Sequence, residues 1–302
     1  MRVGIFYSSF AFAPNKVLLM DCFKSGVRAN GDIAVDYKTE GQSIKDIDAA
    51  FILGYSVEKN YRRRIIDTCK ERNILPIYVD SNIFVYGTTN TFFYHRYSVN
   101  GIFMNDGEYE LGRAIDSERT KKILAYHKIN IKPWRTNGDY IIILGQRRKS
   151  WNFGEKDGLE WIINTIAKIR LHTDRKILVR LHPGDLKSNS SSRSILQEKF
   201  GNSIIISKEA NIKKDLAKAW CSVGFNSTPN CVSAMEGVPV FVDDPDRCWA
   251  KDIAFTDLSL IENPPMPERD KWLDNLALIH WNNEEIKNGI YWKFFKKFYG
   301  KE

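Results

Sequence analysis

The sequence predicts a two-domain α/β fold, on three observations. Short apolar segments alternate with segments of helical periodicity in both halves of the chain. Strands that are separated by helices indicate parallel sheets with right-handed crossovers. A polar stretch at residues 133–137 interrupts the alternation and predicts a linker. We therefore expect domains at residues 1–132 and 133–280, with residues 281–302 forming a C-terminal helix that packs back on the first domain.

The first half carries four apolar segments that are typical of strands, with helical segments between them. Asn15 is suited to cap the first helix. Residues 81–113 break the rhythm with aromatic and polar side chains, and a long irregular stretch inside an α/β domain is typical of a functional segment. The predicted strands are 3–7, 33–37, 49–54 and 74–79, and the predicted helices are 16–29, 61–72 and 116–128.

The second half restarts the pattern after the linker. Residues 145–154 form a basic loop, the serine-rich residues 188–194 are expected to form a mobile loop, and the tail at 268–299 is expected to be helical. The predicted strands are 140–144, 177–181, 203–206, 221–225 and 238–242, and the predicted helices are 159–170 and 229–236.

Composition narrows the class of protein. The formal net charge of +8 and the isoelectric point near 9.1 favour a polyanionic partner. The five cysteines lack a CxxC spacing, which argues against a zinc site or a disulfide framework. No apolar run approaches the ~20 residues that span a bilayer. The N-terminus resembles a first strand rather than a signal peptide, so we expect a cytoplasmic protein.

Three segments that follow predicted strands of the second domain carry polar and basic side chains. The carboxyl ends of parallel strands meet at one edge of a sheet, where such folds bind ligands. Glycine, clustered cations and a hydroxyl-rich helix start all suit a phosphate group. The candidate donor-binding residues are Gly145, Gln146, Arg147, Arg148, His182, Asn226, Ser227 and Thr228.

Several of these segments carry a family resemblance. The donor-domain motifs are Leu144-Gly-Gln146, His182-Pro183 and the run from Asn226-Ser-Thr to Ala234-Met-Glu-Gly-Val-Pro-Val240. The tail motifs are Glu262-Asn-Pro, Arg269-Asp-Lys-Trp272, His280-Trp281, Glu284-Glu-Ile286 and Trp292. The sequence thereby resembles the GT-B glycosyltransferases of the capsule-polysaccharide type, which also have relatives in tailed phages.

The resemblance implies two Rossmann-like domains with parallel sheets that face a cleft, and C-terminal helices that cross back. It also implies metal-independent transfer of a sugar from a nucleotide-sugar, expected to be a UDP-sugar, with no further cofactor. One position departs from the family. Many GT-B enzymes hold the donor ribose with a glutamate five residues before the glycine of the X-Pro turn, where this chain has Val232. Glu236 lies next to Gly237 and is not equivalent.

An inverting enzyme would need a base to deprotonate the acceptor hydroxyl. Asp80 ends a predicted strand and is the first candidate, followed by His95 and Asp106. For each of the three residues, the alternative is a structural role or simple exposure to solvent.

The acceptor predicted first is 5-hydroxymethylcytosine in double-stranded phage DNA, because the chain is basic and its irregular segment mixes aromatic and cationic side chains. The candidate nucleic-acid contacts are Arg62, Arg63, Arg96 and Lys149. Two alternatives stay open. One is a capsule or lipopolysaccharide glycosyltransferase, whose basic tail would lie against anionic lipid. The other is a non-catalytic protein that binds nucleotide-sugar or nucleic acid, which the missing ribose glutamate favours.

Overall fold

The computed structural model describes residues 1–7, 14–85, 93–107, 116–148, 153 and 157–300. The chain divides into two compact units. Unit 1 comprises residues 1–120 and 275–302, and unit 2 comprises residues 121–274. The boundaries predicted from sequence are 132/133 and 280/281. The structural boundaries instead fall within two helices, α3 (Ser117–His127) and α8 (Asp270–Leu278).

Unit 1 contains one six-stranded sheet in the order β12-β5-β4-β3-β1-β2. Strands β1 to β4 are mutually parallel, whereas β5 runs antiparallel to both β4 and β12. Its strands are β1 (Arg2–Phe6), β2 (Ile33–Tyr37), β3 (Ala49–Leu53), β4 (Leu75–Asp80), β5 (Tyr94–Val99) and β12 (His280–Asn282). Its helices are α1 (Pro14–Ala29), α2 (Tyr61–Glu71), α9 (Asn283–Lys287) and α10 (Ile290–Tyr299), together with the first residues of α3 and the last of α8.

Alternate side chains of the central strands pack on opposite faces of this sheet. Phe51 contributes to the core beneath α1 and α10, whereas its neighbours Ala50 and Ile52 contribute to the core beneath α2. Both faces are covered, which explains why these strands are continuous apolar runs in the sequence. Asn60 caps helix α2, because its side chain accepts a hydrogen bond from the Arg63 amide.

Helix α10 is fixed to unit 1 by one buried carboxylate. Asp32 accepts a hydrogen bond from Trp292 Nε1 at 2.7 Å and pairs with Lys296 Nζ at 2.8 Å. Burial alone would raise the pKa of Asp32. Hydrogen bonds from Lys296, from the N-terminal amino group of Met1 and from Trp292 instead lower the pKa to about 2. The indole of Trp292 also meets Phe23 of α1 at 5.8 Å between ring centroids.

Unit 2 contains a second six-stranded sheet, in the order β11-β10-β9-β6-β7-β8, in which all paired strands are parallel. Its strands are β6 (Tyr140–Leu144), β7 (Lys176–Arg180), β8 (Ile204–Ile206), β9 (Ala219–Gly224), β10 (Val240–Val242) and β11 (Ala254–Phe255). Its helices are α4 (Gly158–Arg170), α5 (Leu186–Phe200), α6 (Ile212–Leu216) and α7 (Pro229–Met235), with most of α3 and the first half of α8.

Helix α4 covers the centre of the second sheet. Its buried residues Leu159, Ile162, Ile166 and Ile169 recur at helical spacing, so one face packs on β6 and β7. Asp157 caps the helix through the Leu159 amide at 2.7 Å. The predicted class, two Rossmann-like α/β sheets, is confirmed.

Three predictions about local structure are wrong. Residues 94–99, placed in an irregular stretch, form the buried strand β5, which pairs with β12 far along the chain. The serine-rich residues 188–194 are helical within α5, because Ser192 and Leu196 lie one turn apart on a face that is buried. The predicted helical tail is interrupted by β12.

The five cysteines are buried and carry free thiols. None of the described helices has both the length and the apolarity needed to cross a bilayer.

Candidate functional site

The carboxyl ends of three adjacent strands bring the predicted donor-binding segments together in unit 2. Strand β6 lies between β9 and β7 in the sheet, so the loops that follow these strands are neighbours. Gln146, two residues after β6, donates from Nε2 to Asn226 Oδ1 at 3.0 Å, and its Oε1 accepts from the Asn226 amide at 3.2 Å. Both residues are buried, so this reciprocal pair fixes the two loops against each other.

A carboxylate from the next strand completes this pair. Asp244, two residues after β10, accepts from Asn226 Nδ2 at 2.9 Å and from Arg247 Nε at 2.6 Å. Asp244 is absent from the residues predicted from sequence. The signal that could have found it is its position, because it follows a predicted strand of the same sheet just as the chosen residues do.

His182 has a defined tautomer. Its Nδ1 accepts a hydrogen bond from the Gly184 amide at 3.0 Å, so the proton of the neutral ring lies on Nε2. Burial, followed by the charge of Arg147, lowers the pKa of His182, and Asp185 opposes this shift. At neutral pH the side chain is therefore an uncharged donor through Nε2–H.

Arg147 lies beside this imidazole. A Cβ atom built on Gly184 would be 2.9 Å from Arg147 Nη2 and 3.0 Å from His182 Cε1, so both side chains lie beside Gly184. Arg147 is exposed, and within the described part of the chain it forms no ion pair. It supplies a positive charge at the edge of the sheet that no described carboxylate neutralises.

Arg148 is engaged differently. Its Nε pairs with Asp157 at 2.9 Å, and its backbone amide donates to Asp185 Oδ2 at 2.6 Å. The side chain thus joins the loop to the start of α4, and its charge is already compensated. Of the two arginines predicted to bind phosphate, Arg147 is the one with its charge available.

The loop after β9 presents two further polar groups. Among the described residues, no partner meets the buried Ser227 Oγ, and no acceptor meets the amides of Ser227 and Thr228. Thr228 is the N-cap of α7 without a side-chain cap bond, and Pro229 begins the helix. Ser227 and Thr228 both follow the carboxyl end of β9.

Gly145 has a packing role that differs from the prediction. Its amide donates to the Arg180 carbonyl at 2.8 Å, and a Cβ atom would lie 2.9 Å from that carbonyl oxygen. The glycine allows β6 and β7 to approach at their ends.

Val232 and Glu236 both belong to the β9–β10 crossover. Val232 is buried within α7. Glu236 caps the far end of α7 and pairs with Lys132 and Lys213, and the hydrogen bonds from these lysines overcome burial and lower its pKa. Glu236 therefore ties the linker to α6 and lies away from the carboxyl edge of the sheet.

The three candidate bases lie in unit 1. Asp80 ends β4, where its Oδ2 pairs with the buried Arg96 at 2.5 Å and its Oδ1 accepts from the Ser81 amide at 2.7 Å. His95 is next to Arg96 on β5, and its buried Nδ1 meets no hydrogen-bond partner among the described residues. Burial lowers the pKa of His95 to about 4 against a weaker opposing effect of Asp80, so the imidazole is neutral near pH 7.

Asp106 holds a tight turn. Its carboxylate accepts from the Phe103 amide at 2.7 Å, and its backbone carbonyl lies where a Cβ atom on Gly101 would be. The structure thus brings Asp80 and His95 near each other and gives Asp106 a local structural contact.

The candidate nucleic-acid contacts are engaged within unit 1. Arg63 pairs with Asp67 at 2.9 Å, Arg62 donates to the Tyr55 carbonyl at 3.3 Å, and Arg96 is buried against Asp80. Lys149 lies outside the described residues.

Within the described ranges, no three His, Cys, Asp or Glu side chains come together as a metal site would require. The expected metal independence stays a prediction.

Two helix-covered, largely parallel sheets that follow one another along the chain define a GT-B-like fold. Solved structures with that fold are similar over nearly the whole chain. The KpsC beta Kdo 2,4 transferase of Thermosulfurimonas dismutans is 16% identical, with a TM-score of 0.57 over 95% of this chain and 97% of that one. The KpsC beta Kdo 2,7 transferase of the same organism is 13% identical, with a TM-score of 0.53 over 97% of this chain and 99% of that one. At these identities the likeness establishes the fold.

Neither protein-family models nor curated proteins match the sequence.

Proposed function

We propose that this protein is a glycosyltransferase that moves a sugar from a nucleotide-sugar donor to a hydroxyl group of a glycan. The observation that carries the proposal is a set of donors at the carboxyl edge of the unit 2 sheet that no described residue satisfies. Arg147 offers an uncompensated charge, His182 offers Nε2–H, and Ser227 offers a buried hydroxyl. Such groups stabilise the negative charge that develops on a leaving phosphate.

The spacing of these donors suits an extended ligand. Ser227 follows β9 and His182 follows β7, with β6 between them. Two strand spacings separate the loops by on the order of 10 Å. A nucleotide-sugar reaches across such a distance, whereas a single small anion does not.

Asp80 stays the proposed base for the acceptor hydroxyl. Its pairing with Arg96 would orient the carboxylate. His95 is the second candidate, since a neutral imidazole can also accept a proton.

A glycan is favoured over DNA as the acceptor. The structural neighbours are named as Kdo transferases, and they align over nearly their full length. The finer prediction, 5-hydroxymethylcytosine in phage DNA, depends on a free basic surface. Arg63 and Arg96 pair with carboxylates instead, which weakens that support.

The test is turnover by the purified protein with a panel of donors and two kinds of acceptor. The donors are UDP-sugars and nucleotide-activated Kdo, and the acceptors are a Kdo-terminated oligosaccharide and a duplex containing 5-hydroxymethylcytosine. We expect a mass gain of one sugar on the oligosaccharide. A gain only on the duplex would restore the DNA acceptor. Donor binding without transfer or hydrolysis under any condition would favour the non-catalytic alternative.

A further inference from the structure

Helix α10 turns one face toward the core of unit 1 and the opposite face outward. Core packing is provided by the inward residues Tyr291, Trp292 and Phe295, all of which are buried. Residues 290, 293 and 297 follow at the helical spacing of the other side. Phe294 lies between the two sides and packs against the core, 5.2 Å from Trp281 between ring centroids. The outward side therefore has a composition that the core does not dictate.

The outward face combines apolar, aromatic and cationic side chains. Ile290 is 53% exposed, Lys293 and Lys297 are exposed, and Phe294, at the border of this face, is half-buried. The ring of Phe298 contacts Phe294 at 5.0 Å between centroids and lies 5.5 Å from Lys297 Nζ. The helix contains no acidic residue. Lysines interleaved with aromatic rings are typical of a helix that lies in the interface of an anionic membrane.

The three lysines of α10 differ in whether their charge is paired with a carboxylate. Lys296 points inward and pairs with Asp32 at 2.8 Å, so its charge serves the fold. Lys293 forms no ion pair within the described part of the chain, and Lys297 meets only an aromatic ring there. Charge on the outward face is therefore available to a partner, and that partner must be anionic.

The neighbouring apolar depression limits how deeply a partner can insert. It is lined by residues of β5, β12 and α10, including Ser98, Trp281 and Phe294. Its volume is about 30 Å³, room for little more than a water molecule. An acyl chain does not fit, so the face suits shallow contact with a headgroup layer rather than capture of one lipid tail.

We propose that the outward face of α10, formed by Ile290, Lys293, Lys297 and Phe298, docks unit 1 on an anionic lipid surface. The lysines would meet the lipid phosphates, and the apolar side chains would enter the headgroup region. This inference goes beyond glycosyl transfer and does not depend on it, because docking needs no donor.

The test is sedimentation of the full-length protein with vesicles of phosphatidylcholine alone or mixed with phosphatidylglycerol, without a nucleotide-sugar. We expect binding only to the anionic vesicles, and weaker binding at higher salt. The double variant Lys293→Glu/Lys297→Glu should bind at least about 25-fold more weakly, since each lysine near an anionic surface contributes about a fivefold change and each glutamate adds repulsion.

The matched control is Lys59→Glu/Lys70→Glu, which makes the same change of charge at exposed positions elsewhere on unit 1. It should keep the binding of the wild-type protein. Equal weakening by both double variants would contradict the proposal, because net charge and not this face would then explain binding. Absence of binding to the anionic vesicles would also overturn it.

Discussion

Asp80 is held by two contacts that a base would need for orientation. Its carboxylate pairs with Arg96 and accepts the Ser81 amide. Asp80→Asn keeps the size of the side chain and removes the group that accepts the proton, so turnover should fall by at least about 100-fold. Donor affinity should stay unchanged, as measured by calorimetric titration.

Asp67→Asn is the control for Asp80→Asn, because it also removes a carboxylate from an arginine of unit 1. It should leave turnover intact. Melting temperatures of both variants separate a lost base from a lost fold. Full turnover by a folded Asp80→Asn protein would reject Asp80 as the base.

His95 makes stability depend on pH. Burial lowers the pKa of the folded-state imidazole from 6.5 to about 4, whereas the unfolded chain titrates near the ordinary value. As the pH falls below about 6.5, the unfolded state gains a proton that the folded state does not, so stability falls until about pH 4. Between pH 7 and pH 5 this contribution is about 2 kcal/mol.

Urea unfolding of wild type and His95→Gln at pH 7 and pH 5 measures this effect. Glutamine does not titrate, so the variant should lose about 2 kcal/mol less than wild type over that interval. The same loss in both proteins would show that other groups cause the acid sensitivity.

At the scale of elements, a glycine fixes the linker to the second sheet. Gly237 has φ of 76°, and a Cβ atom there would lie 2.1 Å from the Pro133 carbonyl oxygen. Gly237→Ala should therefore destabilise unit 2 by more than about 2 kcal/mol, through strain and a clash. Thermal and urea unfolding measure the change.

Gly201→Ala provides the comparison within the same unit. Gly201 also has a positive φ, of 52°, but no described atom lies within 4 Å of the position that a Cβ atom would take. The destabilisation should be about 1–3 kcal/mol and smaller than that of Gly237→Ala, because it consists of backbone strain alone. Equal costs at the two positions would mean that the linker moves aside without penalty.

Elements that depend on local pattern could be predicted from the sequence. The strand at 140–144 matches β6 residue for residue, because a central parallel strand is apolar on both faces. Strand β5 could not be predicted, since His280 and Arg96 pair across a long separation in the chain. Helix α5 could not be predicted because a serine-rich composition is typical of a loop, and the burial of Leu196 that favours the helix depends on tertiary packing.

In the candidate site, too, only the features that follow a local sequence pattern could be predicted. The strand ends that carry Gln146, His182 and Asn226 follow from the order of elements, and Gln146 and Asn226 are in direct contact. Their role in donor binding stays a prediction. Their partners do not follow from spacing. Neither the pairing of Arg148 with Asp157 nor the contact of Asp244 with Asn226 leaves a local signal in the sequence.

For the whole molecule, the net charge of +8 does not by itself indicate one anionic partner. Many cations serve the fold, as the buried pair of Arg180 and Asp215 illustrates. Charges that remain available lie in different units, at Arg147 in unit 2 and on the outward face of α10 in unit 1. Each suits a different anionic partner, a donor phosphate and a lipid surface respectively.

If the carboxyl edge of the unit 2 sheet binds a nucleotide-sugar, substitutions at that edge must weaken donor binding, and donor titration of three proteins measures this. Wild type is compared with Arg147→Ala and with Lys176→Ala, which removes an exposed cation from the opposite end of β7. We predict that Arg147→Ala weakens donor binding by about tenfold, the effect of losing one charge-assisted contact, and that Lys176→Ala leaves it unchanged. Equal affinity of wild type and Arg147→Ala, or equal weakening by both variants, would show that the donor does not bind at this edge of the sheet.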